Sequence, residues 1–366
     1  MLTVAPATDI KRKNASDVQP QPIIEAYFKT KQKCESLWCI EMDCNHVSLR
    51  EVDGVEIVSL VDNSVDFASS VRRGDVEQVR KWVTKRLGEE WVKKHFQFPF
   101  AENGFSMLIR IFVDEKSHSV LFDTGLSKGG AVNNARRMGL DLTQVEAIAL
   151  SHGHYDHFGG LSKVVKIINR KNLPIVVHED MFKTRGVANL DGSIRKYPNF
   201  PKEDQVKPAK FVRTKQPYSL AEDTVLVTGE IPRKTDFEKG YPQQRVFING
   251  EWQPDPWVWD DRALVINVKH RGLIILSGCA HAGIINTALH ARQIAGITRV
   301  HATLGGLHLA GKEYEPRIDR TVKDLEQLNP VLIAPSHCTG WRGSFAAAEA
   351  MPQAFVWNSV GNLYYF

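Results

Sequence analysis

The chain lacks the features that mark membrane-spanning, exported and disulfide-stabilised proteins. No run of about 18 or more apolar residues occurs in it, so no transmembrane helix is expected. The segment from Met1 to Pro22 is polar and has no apolar core of the kind that a signal peptide needs. The five cysteines are an odd number with wide gaps, which does not indicate a disulfide framework. These absences favour a reducing, cytoplasmic setting without membrane association.

Neither sign of charge is concentrated in any part of the chain. The 47 Lys and Arg residues exceed the 42 Asp and Glu residues only slightly, giving a net charge of +5. Because no dense block of Lys or Arg is present, nucleic-acid binding is not expected. The mild basic excess suits a small-molecule substrate that is anionic, but because it is spread along the chain a solvated basic surface is the favoured interpretation. Composition says nothing about the oligomeric state.

The chain divides into an N-terminal extension and one main domain. Residues 1–50 are expected to form an extension that is partly disordered, and residues 51–366 to form the domain. Residues from about 184 to 260 are rich in Gly, Pro, Lys and aromatic side chains, which indicates an insertion. From Asp75 to Lys94, apolar side chains recur three or four residues apart, which predicts one amphipathic helix.

The most informative stretch places four potential metal ligands within six residues, in the pattern H-x-H-x-D-H. An apolar run precedes it and an apolar-periodic segment follows, which predicts a buried strand, a ligand-bearing turn and a helix. Alternate side chains of an extended chain point to the same face, so His152 and His154 can reach one ion together. Asp156 and His157 lie past the strand end and can reach a neighbouring ion. Imidazole and carboxylate ligands suit zinc, iron or manganese.

A second strand end lies upstream, in the string Phe122-Asp123-Thr124-Gly125. An acid and a glycine at that point suit a tight turn. Beside a metal motif, Asp123 has a second available role, which is to accept hydrogen bonds and orient a ligand.

These strings resemble those of a known family. The H-x-H-x-D-H motif resembles the signature of the metallo-β-lactamase fold superfamily. Further strings resemble the branch related to 7,8-dihydropterin-6-yl-methyl-4-(β-D-ribofuranosyl)aminobenzene 5'-phosphate synthase. They are E-N-G-F-S at 102–106, T-G-E-I-P-R at 228–233, G-C-A-H-A-G at 278–283, G-G-L-H-L at 305–309 and H-C-T-G at 337–340. The resemblance covers roughly residues 55 to 366, by motif spacing.

The resemblance implies an α/β fold of the αββα sandwich type, in which two mixed β sheets pack face to face with helices on both outer faces. It also implies two divalent metal ions, with zinc the first expectation and manganese or iron the alternatives. The implied ligands are His152, His154 and His281 for one ion, and Asp156, His157 and His337 for the other. Asp123 resembles the outer residue that orients a ligand.

Two cysteines accompany these ligands. Cys279 stands where many relatives carry an aspartate that bridges the two metals. It either ligates as a thiolate, stands back as a small buried residue, or leaves the bridging to solvent. Cys338 adjoins His337 on what is expected to be an extended strand, so its side chain is predicted to point to the opposite face and is not assigned to the metal.

The implied activity is that of a metal-dependent hydrolase, in which a metal-bound hydroxide attacks an ester, lactone, phosphoester or similar small molecule. Asp156 orients the hydroxide, and His308 contacts the substrate or donates a proton. Arg233 binds an anionic substrate group, or is simply a surface arginine. A pterin-pathway synthase of the branch's type is an alternative. An iron-bound redox protein, or a binding protein without catalysis, is another.

Overall fold

A computed structural model describes residues 46–366, so nearly all of the predicted N-terminal extension lies outside the described residues. The strands, in chain order, are β1 Glu51–Val52, β2 Gly54–Val61, β3 Val76–Glu77, β4 Ser106–Val113, β5 Lys116–Phe122, β6 Ala147–Ala149, β7 Pro174–Val177, β8 Arg185–Ala188, β9 Ile194–Lys196, β10 Lys210–Arg213, β11 Tyr218–Leu220, β12 Val225–Val227, β13 Gln244–Ile248, β14 Glu251–Pro254, β15 Ala263–Val268, β16 Gly272–Ser277, β17 Val300–Gly306, β18 Leu332–Ser336 and β19 Leu363–Tyr365. The α-helices are α1 Val79–Leu87, α2 Glu89–His95, α3 Gly130–Arg137, α4 Tyr155–Phe158, α5 Leu161–Ile168, α6 Ile284–Ala295, α7 Ile318–Gln327 and α8 Gly340–Ala350.

Most strands belong to two large sheets. The first sheet has the order β10-β7-β6-β5-β4-β2-β19-β3, and the second has the order β11-β12-β15-β16-β17-β18, with β1 paired to β15. In the first sheet, β10, β7, β6 and β5 run parallel, and the pairs from β5 to β3 are antiparallel. In the second sheet, β16, β17 and β18 run parallel, whereas β11, β12, β15 and β16 pair antiparallel. Both sheets are therefore mixed, as expected.

Strand periodicity places the main core between the two sheets. In β4, Met107 and Ile109 face the inner core, and Leu108 between them faces the opposite side of the sheet. In β16, Ile274 belongs to the same inner core, and Ile275 faces outwards. Each sheet thus has a second apolar face that needs a cover.

Helices supply that cover on both sides. Trp82 of α1, Ala135 of α3 and Leu161 of α5 pack on the outer face of the first sheet. Ala288 of α6 packs with Ile275 on the outer face of the second sheet. Helix α7 packs against α6 and α8, and α8 contacts β18. The predicted αββα sandwich is therefore confirmed.

Residues 184–260 are distributed over three sheets. Strand β10 joins the first large sheet, and β11 and β12 join the second. The rest of this region forms a small third sheet with the order β14-β13-β8-β9. Within residues 46–366, no helix is both long enough and apolar enough to cross a membrane.

Candidate metal centre

The predicted ligands follow strands of both large sheets. The H-x-H-x-D-H turn begins three residues after the end of β6 of the first sheet, while His281 follows β16 and His337 follows β18 of the second. The strand ends meet at one edge of the sandwich, where the ligand atoms converge. Two groups, in each of which the ligand atoms lie within 4.8 Å of one another, are His152–His154–His281 and Asp156–His157–His337. They are the same two sets that the resemblance implies.

The first group has the geometry of imidazoles that share one ion. The Nε2 atom of His152 lies 2.9 Å from Nδ1 of His154, and both ring nitrogens of His281 are buried without a hydrogen-bond partner. Two nitrogens on one tetrahedral zinc are about 3.3 Å apart, given Zn–N bonds of about 2.0–2.1 Å. Burial lowers the pKa of His154 to about 4 and holds the pKa values of His152 and His281 well below their usual range. All three rings are therefore neutral at pH 7, as metal ligands must be.

The second group adds a carboxylate. The Oδ2 atom of Asp156 lies 3.3 Å from Nε2 of His337 and 3.9 Å from Nε2 of His157. Burial opposes ionisation of Asp156, but His157 and His337 hold its pKa well below the usual range. For His337, burial acts to lower the pKa, and the hydrogen bond with Asp156 outweighs it and raises the pKa to about 9. A cation that binds here therefore displaces a proton from His337.

Asp123 lies behind these ligands rather than among them. It is fully buried at a positive φ of 57°, and its Oδ2 atom accepts a hydrogen bond from Nδ1 of His157 at 2.7 Å. Its two oxygens also accept from the backbone N–H and the hydroxyl of Ser151, each at 2.7 Å. The bond to Nδ1 leaves Nε2 of His157 as the atom that faces the ligand group.

Both cysteines lie at the site. Sγ of Cys279 is 3.1 Å from Nε2 of His157 and lies within 4.8 Å of ligand atoms from both groups. Burial raises the pKa of the Cys279 thiol well above its usual range. The expectation that Cys338 points away from His337 is wrong, because the chain turns at His337–Thr339 as a 3-10 helix instead of continuing extended. Cys338 and His337 consequently line the same cavity.

This cavity lies above the ligands and has a volume of about 380 Å³. His308 lines it, with its ring centroid 4.1 Å from that of His281 and both ring nitrogens without a hydrogen-bond partner. Tyr197 and Tyr241 form aromatic walls, and their hydroxyl oxygens are 3.4 Å apart. Arg195 also lines the cavity, with its guanidinium over the Tyr197 ring at 5.4 Å from the centroid.

Arg233 does not line this cavity. Its guanidinium donates to the backbone carbonyls of Ile231, Trp257 and Val258. It also stacks over the Trp259 ring, 4.9 Å from the centroid. These contacts favour a structural role in holding the loops of residues 231–259 together.

Comparison with known proteins agrees with this geometry. A family model described as the metallo-beta-lactamase superfamily matches residues 100–284. A protein of Methanocaldococcus jannaschii named 7,8-dihydropterin-6-methyl-4-(beta-D-ribofuranosyl)-aminobenzene-5'-phosphate synthase is 32% identical over 302 residues, covering 80% of this chain and 98% of that protein. The chain belongs to the metallo-β-lactamase superfamily.

Two further similarities extend the comparison. An uncharacterised protein of the same organism is 30% identical over 270 residues, covering 72% of this chain and 93% of its own length. Among solved structures, Tm1679, described as a metal-dependent hydrolase of the beta-lactamase superfamily, has a TM-score of 0.61 at 23% identity. The match covers 84% of this chain and 98% of that structure, and it supports the superfamily fold.

Sequence reasoning missed the residues that support the superfamily ligands. Oδ1 of Asp62 accepts from the backbone N–H of His337 at 2.7 Å, and Oδ1 of Asn63 lies 3.2 Å from Nδ1 of the same ring. These two polar residues follow the end of β2. Asp123 was predicted from the same kind of position, at the end of an apolar strand, so that reasoning also applies to them. Oδ2 of Asp260 accepts from the backbone N–H of Gly153 at 2.8 Å. No local pattern marks Asp260, because its partner lies more than 100 residues away in the chain.

Proposed function

We propose that the protein is a metal-dependent hydrolase of small molecules such as esters, lactones or phosphoesters. One observation carries the proposal, namely that two groups of ligands, buried except for the partly exposed Asp156, meet at the base of a cavity with several ring nitrogens left without a partner. Buried polar atoms without partners are rare in native proteins, and a bound cation accounts for them. The ligand set suits two ions, with zinc the first choice and manganese or iron the alternatives.

A divalent ion in such a set supplies a Lewis acid and makes water nucleophilic near neutral pH. The residues of the chain then divide the remaining work. Asp156 is ionised and lines the cavity, so its free lone pairs can orient the attacking water. His308 has no hydrogen-bond partner and stands beside His281, where its ring can donate a proton to the leaving group.

The size and the lining residues of the cavity favour a small anionic substrate. Its volume of about 380 Å³ is in the range of small-molecule sites. Arg195 supplies a guanidinium that can bind a carboxylate or phosphate with two parallel hydrogen bonds. Tyr197 and Tyr241 offer flat apolar faces to the rest of the molecule.

A pterin-pathway synthase is the second candidate. The support for it is the synthase from Methanocaldococcus jannaschii, which is 32% identical over 98% of its own length. Fold and ligand set do not distinguish the two activities, because one scaffold supports different chemistries.

The test combines metal analysis with a substrate panel. Purified protein loaded with zinc, manganese or iron(II) is expected to cleave at least one ester, lactone or phosphoester, and His154→Ala to lose metal and activity together. His95→Ala, on the exposed end of α2, is expected to retain both. Unchanged metal content in His154→Ala would contradict the assigned centre. A metal-loaded protein that cleaves nothing, but joins a pterin precursor to an aromatic ribosyl phosphate, would support the synthase instead.

A further inference from the structure

His154 is held from behind by a residue of the small third sheet. Gln244 of β13 is fully buried, and its Oε1 atom lies 2.5 Å from Nε2 of His154. The amide nitrogen of the same side chain donates to Oδ2 of Asp255 at 2.9 Å. Gln244 therefore joins a predicted metal ligand to an acidic residue more than 10 positions further along the chain.

The direction in which these hydrogen bonds are donated is determined by the contacts of Asp255. Oδ2 of Asp255 also accepts from Nε of Arg185 at 3.1 Å. The guanidinium of Arg185 donates two further bonds to Asp260, both at 2.7 Å. A carboxylate paired with arginine is an acceptor only, so the NH₂ group of Gln244 must face Asp255 and its carbonyl oxygen must face His154.

This orientation dictates where His154 carries its proton. A carbonyl oxygen has no hydrogen to donate, so Nε2 of His154 must be the protonated nitrogen. The Nδ1 atom then keeps its lone pair, and it is Nδ1 that lies 2.9 Å from Nε2 of His152 within the ligand group. The tautomer that can bind a metal through Nδ1 is thus selected by residues of another sheet.

The same residues hold the backbone of the turn. Asp260, which pairs with Arg185, accepts from the N–H of Gly153, between the two histidines. A side chain at residue 153 would bring its Cβ to 2.8 Å from the Met181 backbone, so only glycine fits there. Ring orientation and turn position are consequently fixed by one buried cluster.

We propose that Gln244, held by Asp255 and Arg185, is a positioning residue of the metal centre that keeps His154 in the tautomer with Nδ1 free. The inference rests on the metal centre of the proposed function but not on the reaction it performs. Without Gln244, His154 is expected to populate both tautomers and to turn more freely. Loss of such an outer partner typically lowers metal affinity about 10- to 100-fold.

The test reads the tautomer directly in the full chain labelled with ¹⁵N-histidine and freed of metal by chelation. Two-bond ¹H–¹⁵N spectra are expected to show His154 protonated at Nε2, with its signals assigned by their absence from His154→Ala. In Gln244→Leu, the His154 signals are expected to shift towards a mixture of tautomers, and zinc affinity measured by chelator competition to fall about 10- to 100-fold. Gln243→Leu is the matched control, because Gln243 instead accepts from the Tyr314 hydroxyl.

A double variant that exchanges the amide and the carboxylate between positions 244 and 255 is expected to restore the tautomer. In Gln244→Glu with Asp255→Asn, the new carboxylate accepts from both His154 and the asparagine amide, so the Nε2-protonated tautomer and most of the zinc affinity are expected to return. Gln244→Glu alone places two carboxylates in contact and is expected to bind zinc less tightly than the double variant. A role limited to packing would not produce this order.

The inference is overturned if His154 of the wild-type protein is protonated at Nδ1. This measurement uses the wild type alone, so it does not depend on whether a variant folds. Unchanged His154 signals and zinc affinity in Gln244→Leu would overturn it as well. Neither measurement involves a substrate, so a protein that shows the tautomer dependence but no hydrolysis would refute only the proposed function.

Discussion

At Asp123, one buried carboxylate positions two parts of the metal motif at once. It binds the Ser151 backbone and hydroxyl, which fixes the start of the ligand turn, and it binds Nδ1 of His157, which aims that ring. Gly278 closes the space behind it, since a Cβ there would lie 2.2 Å from the Ser151 hydroxyl oxygen and 2.9 Å from Oδ2 of Asp123. The three residues leave no room for Asp123 to move.

Asp123→Ala is therefore expected to lower zinc affinity about 10- to 100-fold, because His157 loses the bond that orients it. Chelator competition measures the change. Asp123→Asn retains one acceptor oxygen and is expected to lie between the alanine variant and the wild type. Asp204→Ala, an exposed residue of the 3-10 helix Glu203–Val206, serves as the control. Equal affinities for all four proteins would show that Asp123 does not support the centre.

Arg195 allows a prediction about substrate charge. Arg195→Ala is expected to raise KM for an anionic substrate about tenfold or more, since a hydrogen bond to a charged group contributes about 1.5–3 kcal/mol. KM for an uncharged analogue is expected to change little. Lys196→Ala, next to it on β9 but outside the cavity, is the matched control. Steady-state kinetics on the two substrates decide the matter, and equal effects on both would refute a role in anion binding.

The residues that sequence reasoning found share a local signature, in that each is a polar side chain within four residues of the end of an apolar strand. His152, Asp123, His281 and His337 all meet that description. Gln244 and Asp260 do not, because their roles arise from pairing between distant parts of the chain. Arg233 was predicted from a matching string, but a string does not tell which way a guanidinium points.

At the scale of elements, the start of α6 is built around a buried acid. Both oxygens of Glu238 accept backbone N–H groups of the first helical turn, from Ile285 and Asn286, each at 2.9 Å. Asn286 in turn accepts from the backbone N–H groups of Lys234 and Thr235. Since α6 begins just after His281, this cap holds the loop that carries a predicted ligand.

Burial raises the pKa of Glu238 from 4.5 to about 7, despite the bonds that favour its ionised form. A raised pKa contributes stability that is complete below about pH 4.5 and is lost as pH rises through about 7. The free energy of unfolding of the wild type, minus that of Glu238→Gln, is therefore expected to fall over this range by up to about 3 kcal/mol. Denaturant titrations at several pH values measure the difference, and a difference that stays constant or rises would contradict the shift.

Element boundaries were less accessible to sequence reasoning than element types. The stretch predicted as one helix from Asp75 to Lys94 forms β3, α1 and α2, with Gly88 between the two helices at a φ of 82°. A side chain is strained at that φ, so glycine permits the break that apolar periodicity alone cannot detect. The small third sheet was missed because it pairs β8 with β13, far apart in the chain.

At the scale of the whole molecule, the candidate centre joins the two large sheets. Each ligand group contains residues that follow β6 of the first sheet and one residue that follows β16 or β18 of the second. The small third sheet adds Gln244 and Arg185 behind the same point. An ion bound here would therefore add a direct link between the two sheets, beside hydrogen bonds such as that from the His337 backbone N–H to Asp62.

Metal removal is expected to lower thermal stability. An ion that binds the folded chain but not the unfolded chain stabilises the folded state, and the gain rises with the free ion concentration. At a free concentration 100 times Kd, the gain is about 2.7 kcal/mol per ion, which corresponds to several degrees in Tm. Scanning calorimetry of the zinc-loaded protein, before and after chelation and after re-addition of zinc, measures the shift. His154→Ala is expected to show a smaller shift than the wild type, because it lacks a ligand of the first group and retains the second group, Asp156–His157–His337. If the wild type melted at one temperature throughout, the two sheets would not be joined by a metal at this edge.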